Sequence, residues 1–493
     1  MEKFKTKPFA HQLECLNKFG RREYFALLAE QGTGKTFIII NNIADLWSSG
    51  ELDGVLVFAP NGVHTNWILR EIPKHMPDYV RHAKAEWSAS MRKKEKAALD
   101  ALMSERDPSV LRIFAMNWDA LQTKRGVEAA EKFCKSCSRL MIVGDESQNF
   151  KNPTTARAKE LQRLKKHSTY RRIMSGTTMD GSPFSAFSQF MFLAESILGA
   201  TSYFAFKAEY ADMMPADSRM MQNLMRSKGL RRAPQIVARD ASGKPRYRNL
   251  DKLKALIEPH SFRVLKKDCL DLPEKIYKNV YFEMTPAQTK IYEKARDESR
   301  IELNGEETPM TRLVVYGKLS QITSGYYLHP DASEPVRIEG DNNKISLLKS
   351  LIEDIVIENE KKVIIWAKYK VEIEDIANAL KSLGIEFVEY HGDIGKDDRT
   401  AAIDSFENGN AQAFLGQQKA GGTGLTLVGA SYMIYFSNSF SLIDRLQSED
   451  RAHRIGQTED VVYINLIAKG TIDESIVDAL EAKESVANKI LAF

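Results

Sequence analysis

Three short blocks of this chain carry the residue types that phosphate chemistry needs. The first is Ala29-Glu30-Gln31-Gly32-Thr33-Gly34-Lys35-Thr36, set between an apolar run and a helical pattern. Glycines at that spacing let backbone N–H groups curl around phosphate oxygens, and the helix N-terminus behind them adds its dipole. Lys35 would reach the β and γ phosphates of a nucleotide, and the Thr36 hydroxyl would ligate Mg2+. The second block is Asp145-Glu146, directly after the run Leu140-Met141-Ile142-Val143. At a strand end Asp145 would hold Mg2+ through water, while Glu146 would orient and deprotonate an attacking water. The third block is Asp450-Arg451-Ala452-His453-Arg454-Ile455-Gly456-Gln457. Its two arginines are three apart, which predicts one helical face. An arginine delivered to a transferring phosphoryl group gains roughly 10³–10⁵ in rate.

The elements that must hold these blocks read as alternating strands and helices. Residues 24–29, 55–59 and 140–143 are short, continuously apolar runs, separated by helical patterns such as 36–47 and 90–103. Runs of this kind fit buried parallel strands. The same grammar returns at 362–366, 386–390, 413–415, 432–436 and 461–467, with a helix at about 371–383. Strand–helix alternation in both halves predicts an α/β fold with parallel sheets. The middle, 180–345, is rich in Met, Phe and Lys and reads as mostly helical. Between Arg226 and Arg248 lie eight basic residues, Arg226, Lys228, Arg231, Arg232, Arg239, Lys244, Arg246 and Arg248, against one acid, Asp240. Gly229, Pro234, Gly243 and Pro245 predict an irregular, exposed segment there.

Composition narrows the function classes. The chain has 493 residues, 43% hydrophobic and 28% charged, with a net charge of +4. That charge permits nucleic acid as a partner without arguing for it, so a basic surface must be local. Four cysteines, Cys15, Cys134, Cys137 and Cys269, exclude a disulfide scaffold and suit a reducing compartment. Cys134 and Cys137 are half a zinc site with no second half nearby, which predicts a structural role. No apolar run approaches the ~18 residues that span a membrane, and the N-terminus lacks the apolar core of a signal peptide.

Taken in order, the blocks resemble superfamily II helicases and, within them, Swi/Snf-type DNA translocases. Phe9 and Gln12 in PFAHQLECLNKF are similar to the adenine-reading Q motif, and AEQGTGKT to motif I. VLVFAPNGVHTNWILRE resembles motif Ia, FAMNWDAL motif Ib, DESQNFKN motif II and MSGTTMDGSP motif III. KVIIWAKY resembles motif IV, and HGDIGKDDR the motif after it. KAGGTGLTL resembles motif V and DRAHRIGQ motif VI, the most specific of the set. The resemblance departs at Gln148, where the family usually has His, and at Thr178, where Pro is usual. In the family the His relays between the nucleotide site and motif III.

The resemblance implies two RecA-like P-loop lobes with parallel sheets, plus helical insertions between them. Lobe 1 would be 1–200, the insertions and linker 201–340, and lobe 2 341–493. ATP would sit in the cleft between lobes on Phe9, Gln12, the loop Ala29 through Thr36, Gly424, Arg451 and Arg454. Lys35, Glu146, Arg451 and Arg454 would be catalytic, and Thr36 and Asp145 would hold Mg2+. The motif II box is Asp145, Glu146, Ser147 and Gln148. Double-stranded or branched DNA would be met by Asn61, Asn66, Asn117, Thr177, Lys368, His391, Lys419, Gly421 and Thr423. The function implied is ATP-driven movement along duplex DNA. Two rivals stand beside it: a strand-separating or branch-migrating helicase, and a nucleic-acid platform with a vestigial ATPase. A motor of this length leaves no room for a targeting module, so a protein partner is expected to supply targeting. The compartment expected is the cytoplasm of a bacterial or phage-infected cell, or the nucleus of a eukaryote.

Overall fold

The computed structural model describes residues 3–105, 107–176, 179–200, 202–215, 235–241, 243–303, 309–327, 334–419 and 425–491. Thr177, Thr178, Gly421, Thr423 and Gly424 lie outside them, as do Arg226, Lys228, Gly229, Arg231, Arg232 and Pro234. The chain divides into two compact units. One gathers Met1–Ala211, Tyr247–Asp271 and Ser485–Phe493, and the other Asp212–Arg246 and Leu272–Glu484.

The first unit is built on a seven-stranded sheet. Its order is His82–Glu86, Leu111–Asn117, Gly54–Ala59, Leu140–Asp145, Tyr170–Ser175, Tyr24–Ala29 and Ser261–Val264. Every neighbouring pair is parallel. Successive residues face opposite sides. Phe25, Leu27, Val55, Val57 and Ile113 pack with Ile38, Ile39 and Ile43 of the helix Lys35–Ser48. Ala26, Leu28, Leu56, Phe58 and Phe114 face Phe133, Leu161 and Phe190 on the other side. Both faces are covered, which is why the central strands read as unbroken apolar runs. Each fully buried Val, Leu, Ile or Phe side chain contributes about 1.5–3 kcal/mol.

The second unit repeats the plan with six parallel strands. Their order is Lys275–Phe282, Val461–Ala468, Tyr432–Tyr435, Val363–Ala367, Ala413–Gln417 and Phe387–Tyr390. Val363, Ile365 and Leu415 pack under Ile373, Ile376 and Leu380, while Ile364, Trp366 and Phe414 meet Phe406 on the other face. Helices Pro286–Leu303 and Pro309–Thr323 bring Tyr292, Leu319 and Ile322 against Ile476 and Leu480. These are the two RecA-like α/β lobes, each with a parallel sheet wrapped by helices.

Among its described residues the middle of the chain carries strands as well as helices. It supplies Ser261–Val264 to one sheet and Lys275–Phe282 to the other. The second of these is an edge strand with four successive exposed residues, so its sequence mixes polar residues into what would otherwise be an apolar run. The described part of the basic segment, 235–241 and 243–248, is largely exposed and carries short pairings. Gln235–Val237 pairs antiparallel with Met213–Pro215, and Arg239 bridges to Pro245. Arg246 pairs with Asp212 at 2.9 Å, and Arg248 donates to the Glu209 carbonyl at 3.3 Å. Cys134 is buried in the core of the first unit, as a structural thiol should be. Among the described residues no helix is long and apolar enough to cross a membrane.

Candidate functional site

Leu140–Asp145, Tyr170–Ser175 and Tyr24–Ala29 are adjacent and parallel. Their C-terminal ends therefore open on one edge of the sheet, where α/β folds bind ligands. The loop after Tyr24–Ala29 turns on Gly32 at φ 86° and Gly34 at φ 82°, a left-handed backbone that favours glycine. A Cβ on Gly34 would lie 2.2 Å from the Gln12 amide nitrogen. Lys35 opens the helix, and its ammonium donates to the carbonyls of Ala29 at 2.9 Å and Glu30 at 3.3 Å. Thr36 is half-buried beside it. Glu30 is committed elsewhere: its carboxylate accepts the Lys266 N–H at 2.6 Å and ties the loop to the Ser261–Val264 strand. Gln31 is reached by the next loop, since a Cβ on Gly176 would lie 3.2 Å from the Gln31 nitrogen.

Gln12 is nearly fully buried, and its amide is fixed at both ends. Its oxygen accepts the Phe9 N–H at 2.9 Å, and its nitrogen donates to the Thr33 carbonyl at 3.3 Å. One N–H and one lone pair remain, the pair that an adenine edge needs. Phe9 is exposed and stacks on His11, with ring centroids 5.8 Å apart. His11 also donates to the Thr33 carbonyl at 2.8 Å. His11 escaped the sequence reading, because a single ring in a polar helix gives no periodic signal.

Asp145 ends its strand buried. Burial, and then the neighbouring Glu146 charge, push its carboxyl up to about 7, against the Trp67 hydrogen bond and Lys35. A carboxylate so placed favours a bound cation. Among the described residues no group of three or more His, Cys, Asp or Glu converges. Mg2+ on Thr36 and Asp145 would accordingly take most of its ligands from phosphate and water, its usual habit. Glu146 sits at φ 52°, in the left-handed region, and its carbonyl accepts the Asn149 side-chain N–H at 2.8 Å. Gln148 donates to the Glu146 carboxylate at 2.8 Å and accepts the Ser175 hydroxyl at 2.6 Å. The glutamine thus bridges the carboxylate to the neighbouring strand end. Ser147 faces away and donates to Gln189.

In the second unit the helix Leu442–Glu449 stops before the arginines. They do not share a helical face; the chain from Asp450 runs in turns. The Arg451 carbonyl accepts the Leu427 N–H at 2.9 Å, and Gly456 sits at φ 105°. Both requirements break a helix. The turn still brings the guanidiniums together, since Arg451 and Arg454 donate to the Leu425 carbonyl at 3.4 Å and 2.8 Å. Arg451 is buried and Arg454 half-buried. Gln457 donates to the Val428 and Ala430 carbonyls at 3.2 Å and 2.9 Å, pinning the turn to the same loop.

The candidate DNA contacts fall on other strand ends. Asn61 and Asn66 follow Gly54–Ala59, and Asn117 ends the strand paired with it. Asn61 is exposed, whereas the Asn117 oxygen accepts the Ala120 N–H at 2.9 Å and caps a turn. Lys368, His391 and Lys419 follow three adjacent strands of the second sheet. Lys419 is exposed, Lys368 lies 4.7 Å from the Tyr369 ring, and His391 meets Glu389 at 3.2 Å.

Residues 11–325 match the SNF2-related domain, and residues 343–456 match the helicase conserved C-terminal domain. The chain is similar to an uncharacterized ATP-dependent helicase of Mycoplasma pneumoniae, 26% identical over 96% of this chain and 40% of that protein. It is 25% identical to the ATP-dependent helicase FUN30 of Saccharomyces cerevisiae, over 94% of this chain and 45% of that protein. The chain spans less than half the length of these curated relatives. Among solved structures it is similar to the Sulfolobus solfataricus SWI2/SNF2 ATPase core in complex with dsDNA. That match is 25% identical, covers 100% of this chain and 95% of that one, and has a TM-score of 0.41.

Proposed function

The chain belongs to the SNF2-related family, and on that premise we propose that it is an ATP-dependent translocase on double-stranded DNA. One observation carries the reading. The Lys35 loop, Asp145-Glu146 and the Gln148–Ser175 bridge meet at three adjacent strand ends. A binding platform has no need of a carboxylate steered by a glutamine beside a phosphate loop.

In this reading Lys35 exchanges its two loop carbonyls for phosphate oxygens, so that no buried charge is left unpaired. Gln12 orients the base. Thr36 and Asp145 would hold Mg2+, which would neutralise charge developing on the phosphates. Glu146 takes the proton of the attacking water, with its second oxygen fixed by Gln148. Arg451 and Arg454 supply positive charge to the transferring phosphoryl group. Asn61, Asn66, Asn117, Lys368, His391 and Lys419 meet backbone phosphates, which positions a duplex without reading its sequence. Working boundaries of 1–200, 201–340 and 341–493 go with this reading. So do branched DNA as a further substrate and a protein partner for targeting.

The test is ATP turnover against duplex, single-stranded and forked DNA and RNA, with Lys35→Ala and Glu146→Gln alongside. Duplex should stimulate most, and both variants should abolish the stimulated rate. Stimulated turnover that survives either substitution would overturn the assignment. Displacement of a third strand from a triplex, without unwinding of a fork, would mark a translocase.

A further inference from the structure

Asp145 is held by two groups that the reaction does not use. The Trp67 indole N–H donates to its carboxylate oxygen Oδ2 at 2.9 Å, and the Trp118 indole N–H donates to its carbonyl at 2.9 Å. Both indoles are almost wholly buried, at 1% and 2% exposure. Each follows an asparagine: Asn66-Trp67 and Asn117-Trp118 are the same dipeptide, met twice.

The two pairs follow neighbouring strands, Asn117 at its strand end and Asn66 seven residues beyond Ala59, closing the short helix Val63–Asn66. Ala59 and Asn117 are register partners, so the two strands end level. Each tryptophan opens an irregular turn, a π-helical one over Trp67–Glu71 and a 3₁₀ one over Trp118–Gln122. π turns are short insertions that recur at functional sites. Trp118 is packed between Phe58 and Phe150, with ring centroids at 5.4 Å and 5.1 Å. Phe150 closes the turn Ser147–Phe150 that carries Gln148. Each asparagine is thus the chain neighbour of a donor on Asp145.

We propose that the two Asn-Trp pairs are a positioning device that makes contact with DNA felt at the Mg2+-holding carboxylate. The asparagines meet the duplex, and Trp67 and Trp118 set the orientation of Asp145. This rests on the DNA reading above for the asparagine half only; the tryptophan half stands on the hydrogen bonds alone. Trp67 binds a charged oxygen and Trp118 a neutral carbonyl. Trp67 carries the larger share, because charge-assisted hydrogen bonds are about twice as strong.

The test uses the whole chain labelled with 5-fluorotryptophan and read by 19F NMR. There are five tryptophans, of which Trp47 serves as a control. Trp67→Phe and Trp118→Phe assign the two signals. Mn2+ in place of Mg2+ with a non-hydrolysable ATP analogue assigns them again by broadening, should a variant not fold. Both signals should shift with the Mg2+-analogue complex, and both should shift with duplex DNA alone while Trp47 stays. In turnover, Trp67→Phe should raise the Mg2+ needed for half-maximal rate about tenfold, and Trp118→Phe about threefold, a smaller effect as expected for a neutral hydrogen bond. Unmoved signals on duplex, in a protein whose turnover the duplex stimulates, would overturn the coupling. Turnover that no duplex stimulates would sink the translocase reading, and the coupling with it. An unchanged Mg2+ requirement in Trp67→Phe would overturn the role of the indole.

Discussion

The two units hold their functional groups by different physics. In the first, Lys35 opens a helix and Glu146 follows a strand end, and each side chain is fixed by only one or two hydrogen bonds. Lys35 rests on the Ala29 and Glu30 carbonyls, and Glu146 rests on Gln148. In the second, two arginines ride a turn whose root is a buried ion cluster. Glu449 closes the preceding helix and accepts from Arg445 at 2.7 Å, Lys275 at 3.1 Å and Tyr277 at 2.7 Å. The Arg445 guanidinium lies 3.5 Å from the Tyr435 ring and donates to Asn465 at 2.6 Å. Light fixing suits groups that must exchange partners when a nucleotide arrives. A buried charged root suits groups whose charge must be in place beforehand.

The sharpest way to break this comparison is Arg454→Ala. An arginine that stabilises the transferring phosphoryl group is worth roughly 10³–10⁵ in rate. Turnover should fall by that order, with nucleotide binding retained in an equilibrium titration. Arg451→Ala should behave alike, because both guanidiniums share the Leu425 carbonyl. Unchanged turnover in either variant would reduce the turn to a structural feature.

That turn also marks where the sequence stops being informative. The central strands are legible because they are buried on both faces. The phosphate loop is legible because its glycines and lysine have a fixed spacing. The spacing of Arg451 and Arg454 reads as helical, and is not, because Leu427 imposes a turn from a distance and Gly456 completes it locally. Tyr170–Ser175 hides its strand character behind Arg171 and Arg172. Arg172 is fully buried and donates to Asn42 at 2.9 Å and to the Arg22 carbonyl at 2.8 Å. No periodicity reports a buried arginine. Nor does any local pattern report Trp67 and Trp118 on Asp145, which are contacts across 78 and 27 residues.

A second perturbation cuts the charged root itself. Burial alone would raise the Glu449 carboxyl, but Lys275 and Arg445 outweigh it and hold it down to about 2. Its folded value lies below the ordinary 4.5, so the ionised form stabilises the fold. That contribution is complete above about pH 4.5 and is lost as pH falls toward 2. Glu449→Gln leaves Lys275 and Arg445 without their shared counter-charge, at a cost of about 3–5 kcal/mol for a broken buried pair. Its unfolding midpoint in urea at pH 7 should fall accordingly. The difference from wild type should then shrink as pH drops through the window from 4.5 to 2. An equal midpoint at pH 7 would mean that the cluster is not the root of the turn.

The smallest effect is expected at Gln148, on the lightly fixed side. Its amide spans Glu146 and Ser175, so one side chain joins the Glu146 carboxylate, the proposed water-activating group, to the neighbouring strand end. Gln148→Ala removes a hydrogen bond to a charged oxygen, worth about 1.5–3 kcal/mol. Part of that is recovered by water at a half-exposed carboxylate, so duplex-stimulated turnover should fall about tenfold. Gln148→His restores a group that can donate at one ring nitrogen and accept at the other. It should recover most of the rate near neutral pH, where a neutral ring makes both bonds. Below about pH 6.5 the ring charges and loses its acceptor, so the recovered rate should fall away more steeply than that of wild type. If Gln148→His instead tracks wild type at every pH, the Ser175 bond does not matter, and Gln148 acts on Glu146 alone.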